Sequence, residues 1–125
     1  MRSTPTAEIE LLDTGIVRTR IAAGAVQTLR DAHDNLHGSI AECAGHKRPL
    51  LVDISRCRPL EPEVRHFYTG ELLLGSFLAL GLLIEASPFG RMMGNVYLRI
   101  ARPGIPTRLF AAEPEAMAWL REFLT

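Results

Sequence analysis

No excess of either charge runs through this sequence: Lys and Arg together number 14, as do Asp and Glu, over 125 residues. Proteins that hold nucleic acid neutralise phosphates with a basic stripe, and none is visible. Aromatic residues, which stack bases, make up only 6% of the chain. A formal net charge of zero also leaves little repulsion between copies, so self-association would meet no electrostatic barrier. Cysteine is scarce as well. Cys43 and Cys57 form neither a CxxC pair nor a disulfide framework, and they read as free thiols of a reducing compartment. Long apolar runs are missing: the most apolar stretch, residues 72–84, has 13 residues and is interrupted by Gly75, Ser76 and Gly81, whereas a spanning helix needs about 20. Residues Met1 to Thr6 lack the apolar core of a signal peptide. The expectation is a cytoplasmic protein that neither inserts into membranes nor binds nucleic acid.

What is present belongs to a folded chain. Hydrophobic residues make up 47% and charged residues 22%, ordinary globular values, and no repeat, low-complexity tract or linker divides the sequence. Residues 1–125 are therefore expected to form one domain with one core. Residues 8–12 and 16–21 alternate polar and apolar side chains around Asp13, Thr14 and Gly15, the pattern of a hairpin with a three-residue turn. Glu8 and Glu10 should then face Arg18 and Arg20 on the solvent side. Over residues 25–44, Val26, Leu29, Leu36, Ile40 and Cys43 recur at helical spacing and Gly45 follows, which predicts an amphipathic helix with a glycine stop. Residues 49–54 are a short apolar run of the kind buried in a parallel strand, and Pro62 and Glu63 open a helix within 62–74. Further along, the pattern predicts a buried strand over 79–85 and a helix from Ser87 and Pro88 to about residue 100. A loop at 103–106 and a strand over 107–111 follow. Pro114 opens the last helix, with Ala116, Trp119, Leu120 and Phe123 on one face. This alternation implies a mixed, mostly parallel sheet of about five strands with an N-terminal hairpin and helices packed on it.

The same order of elements, over essentially the whole chain, resembles the STAS fold of anti-sigma-factor antagonists. The wording of Leu51-Val-Asp-Ile-Ser55, Ser87-Pro-Phe-Gly-Arg-Met-Met-Gly-Asn95, Pro106-Thr-Arg-Leu-Phe110 and Ala118-Trp-Leu120 is similar to bacterial single-domain STAS/SEC14-like (SpoIIAA-like) proteins of unknown function. The resemblance implies an α/β fold of the STAS (SpoIIAA-like) kind. None of the four stretches is a catalytic signature. STAS antagonists carry an Asp-Ser-Ser-Gly-like turn after the central strand, whose serine a kinase phosphorylates. Here the segment runs Asp53-Ile-Ser-Arg-Cys-Arg-Pro-Leu-Glu-Pro62, and its only serine is Ser55, so the phosphoserine is not carried over.

Several constellations bear on chemistry. His33 and His37, four apart around Asp34, share a helix face as the two histidines of zinc proteases do. The glutamate base of that motif and a third ligand are both missing, so the pair reads as two helix-flank histidines and no metal is expected. Ser87 and Pro88 cap a helix start, and Arg91 in its first turn with Asn95 one turn on would suit a small anion; the plainer reading is a well-capped structural helix. If the strands ending at Asp53 and Glu85 are neighbours, Asp53, Ser55, Arg56, Arg58, Ser87, Arg91 and Asn95 gather on one edge. Ligands favour that edge in open α/β sheets, and guanidinium groups there suit carboxylate or phosphate partners. The alternative is a solvated rim with ion pairs to Glu61 and Glu63. For nucleophilic catalysis, Ser55, Cys57 and His66 with Asp53 would have to converge, and no nucleophile elbow or phosphate loop supports it.

The leading expectation is a regulatory or protein-binding module without catalytic residues and without cofactor, meeting a protein partner at this loop edge. The alternative is a binder of a small anion, nucleotide or lipid, with Leu72, Leu73, Leu74, Phe77 and Leu78 lining an apolar cleft. A hydrolase stands third. If the face of Leu72, Leu74 and Phe77 is exposed, a homodimer would cover it.

Overall fold

Gly15 adopts φ +93°, a conformation L side chains resist, and its N–H donates to Leu12 O at 2.9 Å while Leu12 N donates to Ile16 O at 2.9 Å. The chain reverses there, and the alternating segments on either side zip into a hairpin of β2 (Ala7–Leu11) and β3 (Val17–Ile21). The computed structural model describes residues 1–68, 70–84, 92 and 104–124. Ala7, Ile9 and Leu11 pair with Ile21, Thr19 and Val17 toward one face. Glu8 pairs with Arg20 and Glu10 with Arg18 toward the other, as the alternation predicts.

Ahead of the hairpin lies a strand the sequence pattern does not announce. β1 (Arg2–Ser3) pairs antiparallel with β2; two residues carry too little periodicity to be read. The remaining strands are β4 (Arg48–Asp53), β5 (Phe77–Leu83) and β6 (Thr107–Phe110). All six form one sheet in chain order, with β3 through β6 mutually parallel. Of β5's seven residues only Leu78 escapes full burial, as befits a central strand covered on both faces. The strand starts two residues earlier than its apolar run suggests.

Helices α1 (Leu29–Glu42), α2 (Pro62–Tyr68), α3 (Glu71–Ser76) and α4 (Glu113–Arg121) complete the described chain. Strand alternation divides the core into two layers. Ile9, Val17, Leu50, Leu80 and Leu82 point to one face and pack with Leu36 of α1 and Leu73 of α3. Leu51, Ala79, Leu83 and Phe110 point to the other and pack with Ala116 and Leu120 of α4. The expected stripe of the last helix is thus partly right: Ala116 and Leu120 are buried, while Trp119 and Phe123 flank them half-buried and stack edge-on at 4.9 Å. α4 rests on β4, β5 and β6, and its first residue, Glu113, reaches the charged side of β3.

Three expectations about helices need correction. The first helix begins at Leu29, not residue 25, because Thr28 caps it: the Thr28 hydroxyl accepts from Asp31 N at 3.1 Å, and the Asp31 carboxylate accepts from Thr28 N at 2.9 Å. This reciprocal pair is a capping box. Val26 therefore stands outside the helix at 62% exposure, Leu29 is exposed as well, and the buried face is Ala32, Asn35, Leu36 and Ser39. Gly38 lies on the same side, and a Cβ there would come within 2.7 Å of Ile9 Cδ1, so the absent side chain lets α1 sit close on β2. Second, the helix expected within 62–74 is two helices, divided where Gly70 takes an extended conformation and caps α3. Third, the face proposed for self-association is mostly core: Phe77 is 1% exposed, Leu74 packs against the inner layer, and Leu72 alone reaches 40%. A single exposed leucine needs no covering partner, so the argument for a homodimer at that face loses its basis.

Candidate functional site

Parallel pairing of β3 with β4 and of β4 with β5 brings the carboxyl ends of these strands to one edge, the arrangement the sequence makes conditional on those strands being neighbours. Glu85, Ser87, Arg91 and Asn95, together with the helix expected from Pro88, lie outside the described residues. Asp53, Ser55, Arg56 and Arg58 are described and close together. The loop they belong to is stitched by its backbone to the loop after β3: Gly24 N donates to Arg56 O at 2.8 Å, and Arg58 N donates to Ala25 O at 3.1 Å. These bonds satisfy the loop's own backbone groups and tie it to its neighbour.

Asp53 organises the end of β4. Its Oδ1 accepts from Ser55 N at 3.0 Å and Ser55 Oγ at 2.5 Å, and its Oδ2 accepts from Arg20 Nε at 3.3 Å. Arg20 also reaches Glu113, the first residue of α4, at 3.5 Å; Arg18 contacts the same carboxylate at 3.3 Å and Glu10 at 2.9 Å. The hairpin's cross-strand charges therefore extend into a network across β2, β3, β4 and α4. Arg56 and Arg58 are exposed and make no ion pair among the described residues, so the expected partners Glu61 and Glu63 are not engaged with them.

Beneath these loops Cys57 is buried with Ala7 and Ile21. Its thiol donates to Ile54 O at 3.5 Å, and burial pushes its pKa up to about 11, which suppresses the thiolate that nucleophilic attack requires. Burial raises the Cys43 thiol also, partly opposed by Arg48. Both cysteines are free. With both oxygens of Asp53 engaged by Ser55 and Arg20, that carboxylate is committed to the turn and the ion pair. His66 sits exposed on α2.

Two cavities frame this edge, of very different size. An open cleft of about 640 Å³ lies between the β1–β2 turn, with Thr4 and Pro5, and the strand ends carrying Arg20, Asp53, Ser55 and Arg56. That falls within the roughly 300–1,000 Å³ typical of small-molecule sites. Five of its twelve lining residues come from 3–8, and sequence patterns miss Ser3, Thr4 and Pro5 because β1 is too short to be recognised. The second, beneath α1 and lined by Leu36, Leu50, Leu73 and Leu80, measures about 40 Å³. This is room for a water or two, and the leucines expected to line a lipid cleft instead fill the core or face solvent.

Above that small cavity lies a buried polar cluster. Asn35, 1% exposed, donates to Thr6 Oγ1 at 2.9 Å and to Gln27 Oε1 at 3.1 Å. It accepts from the hydroxyl of Thr4, and Tyr68 donates to Gln27. Thr19 and Ser39 share a hydrogen bond at 2.6 Å one helical turn away. The β1–β2 turn, the approach to α1, α1 itself and α2 thereby meet at one carboxamide. The signal in the sequence is the run of Ala32, Asn35 and Ser39 on one helix face, small and polar where apolar residues would be ordinary.

The histidine pair behaves as a helix flank. His33 and His37 stack with centroids 6.0 Å apart, and His33 lies 4.0 Å from the Phe67 ring. Among the described residues no three His, Cys, Asp or Glu side chains gather as metal ligands, and no helix is long and apolar enough to cross a membrane.

A family model described as "Domain of unknown function (DUF7793)" matches residues 10–124. Among solved structures, an uncharacterised DUF3478-family protein from Shewanella loihica PV-4 with a SpoIIAA-like fold superposes at a TM-score of 0.63. It is 16% identical, over 96% of this chain and 98% of that one. The likeness establishes a SpoIIAA-like fold. A protein of unknown function from Arthrobacter sp. FB24 is 26% identical over 90% of this chain and 97% of its own, at a TM-score of 0.36. No curated protein matches the chain.

Proposed function

The chain belongs to that family of unknown function, and we propose that it is a non-catalytic binding module that meets a protein partner at the carboxyl edge of β3 and β4. One observation carries the reading. Arg56 and Arg58 stand exposed and without ion pairs among the described residues, on a loop whose backbone is hydrogen-bonded to the loop after β3. Preorganised guanidinium groups of this kind favour carboxylate-bearing protein surfaces, because little ordering remains to oppose binding. The fold itself decides nothing about activity. Against catalysis speak the protonated, buried Cys57 and the full engagement of Asp53. A reducing, cytoplasmic setting suits the two free thiols.

The test is capture from host lysate with wild type and with an Arg56→Ala/Arg58→Ala chain whose circular dichroism matches it. A protein held by the wild type and lost by the variant is the expected result. An identical captured set with and without the two guanidiniums would refute the contact surface. A second reading, a small-ligand site, is favoured by the cleft of about 640 Å³ beside the same edge.

A further inference from the structure

Resting on the small-ligand reading of the cleft, we infer that its occupant is a small zwitterion, with an anionic group toward Arg56 and a cationic group toward Glu8. Four charged side chains line this space: Glu8, Arg20, Asp53 and Arg56. Two of them are already matched, since Arg20 Nε and Asp53 Oδ2 stand 3.3 Å apart. Each is further committed, Arg20 to Glu113 at 3.5 Å and Asp53 to the amide and hydroxyl of Ser55. Glu8 and Arg56 are exposed and carry no ion pair among the described residues. The cleft thus presents one unmatched anion and one unmatched cation.

That pairing selects against simpler ligands. A lone carboxylate or phosphate gains the guanidinium but sits in a space that also holds the Glu8 and Asp53 carboxylates, and a lone ammonium meets the converse in Arg56 and Arg20. Like charges in one site repel, and specificity follows from that penalty as much as from the attraction. A molecule with both charges satisfies both residues. The rest of the wall is uncharged, with Pro5, Ala22 and Ala23 offering short apolar surface and Ser3 a hydroxyl, which suits a compact carbon skeleton between two charged ends. Arg56 is mounted on backbone held by Gly24 at 2.8 Å and Glu8 on a paired strand, so both groups are carried on fixed main chain. Neither residue has a buried contact to lose, and both can be replaced without disturbing the fold.

The test is titration of ¹⁵N-labelled full-length chain with each of the twenty common amino acids and 4-aminobutyrate, beside acetate and propylamine as half-molecules. The readout is the amide shifts of residues 20–24 and 53–57. At least one zwitterion is expected to move these amides at about tenfold lower concentration than either half-molecule. Arg56→Ala and Glu8→Gln should each weaken it by about tenfold, the size of one charge-assisted contact. If acetate or propylamine binds as well as the best zwitterion, the charge pairing is refuted while the ligand-binding reading stands. If no compound moves these amides, both fall together.

Discussion

Replacing Asn35 by alanine tests the polar cluster most directly. The side chain is 1% exposed and makes three hydrogen bonds of 3.1 Å or less, to Thr4, Thr6 and Gln27, with a longer one of 3.5 Å to the Tyr68 hydroxyl. Each contributes about 1 kcal/mol net. The partners fare differently once the carboxamide is gone. Thr4 and Thr6 are half-buried and can turn to water, and Gln27 keeps the Tyr68 hydroxyl, so no partner incurs the full penalty of burial without a bond. Alanine is the better helix former by about 0.6 kcal/mol, which offsets part of the loss. The expected cost is about 2–3 kcal/mol. A chain of 125 residues unfolds with an entropy near 0.26 kcal/mol/K, so Tm should fall by about 8–11 °C. Differential scanning calorimetry reads this, with Asp34→Ala as the control: exposed and one position away, it should shift Tm by no more than about 2 °C. A fall of less than 3 °C for Asn35→Ala would show that the carboxamide trades its partners for water without penalty, and the cluster would not be what joins these four segments.

Gly38→Ala should cost stability in the wild-type background, because its new Cβ meets Ile9 Cδ1 at 2.7 Å. Combined with Ile9→Val, which removes that methyl, the same change should be better tolerated by at least about 1 kcal/mol in a denaturant double-mutant cycle; additivity would refute the close approach. Cys57 should not react with a thiol reagent at pH 8 in the folded chain and should react at once in denaturant. Its linkage has a definite sign. The thiol ionises near 9 when unfolded but holds its proton to about 11 in the fold, so the folded state binds the extra proton between those values, and stability falls as pH rises through them. Cys57→Ala should flatten urea-melt midpoints over that window; an unchanged slope would mean another group is responsible. Arg18→Ala should lower stability by no more than about 1 kcal/mol in low salt, and by less in 1 M NaCl, since its partners Glu10 and Glu113 keep 42% and 33% of their side-chain surface exposed.

The hairpin was legible in full because two independent signals agree there, period-two alternation and a glycine that the turn demands. Among the described residues, the type of the other expected elements was legible from their apolar pattern, and so was the shared edge of β4 and β5. The face of α1 was legible from Leu36 onward, where Leu36, Ile40 and Cys43 join the core as their spacing predicts, but not at its start. Counting apolar positions carried the periodicity back through Thr28 to Val26, whereas the capping box ends the helix ahead of it. The same buried side also carries Asn35 and Ser39, held by hydrogen bonds that hydrophobicity does not record. Gly70 divides α2 from α3 by taking an extended cap conformation, and nothing in the apolar run of Leu72 to Leu74 marks that. At the candidate site, Asp53, Ser55, Arg56 and Arg58 could be listed from their position after a buried run. The cleft beside them could not, because its other wall is the two-residue strand β1 and the turn that follows it.

Strand order that equals chain order has a consequence for how the molecule comes into being on a ribosome. Every strand from β2 onward joins the one completed before it, so the sheet grows at a single margin and nothing must be wedged between partners already paired. The exposed interval is longest where a crossover separates neighbours. The 23 residues between Asp53 and Phe77 take roughly 1–5 s to synthesise, and through that time the margin of β4 is bare. Its apolar centre, Leu50 to Val52, is bracketed by Arg48 and Asp53 at the strand's two ends. Charges in such flanking positions deter pairing with stray strands, so the nascent chain carries its own guard while this margin waits for its next partner.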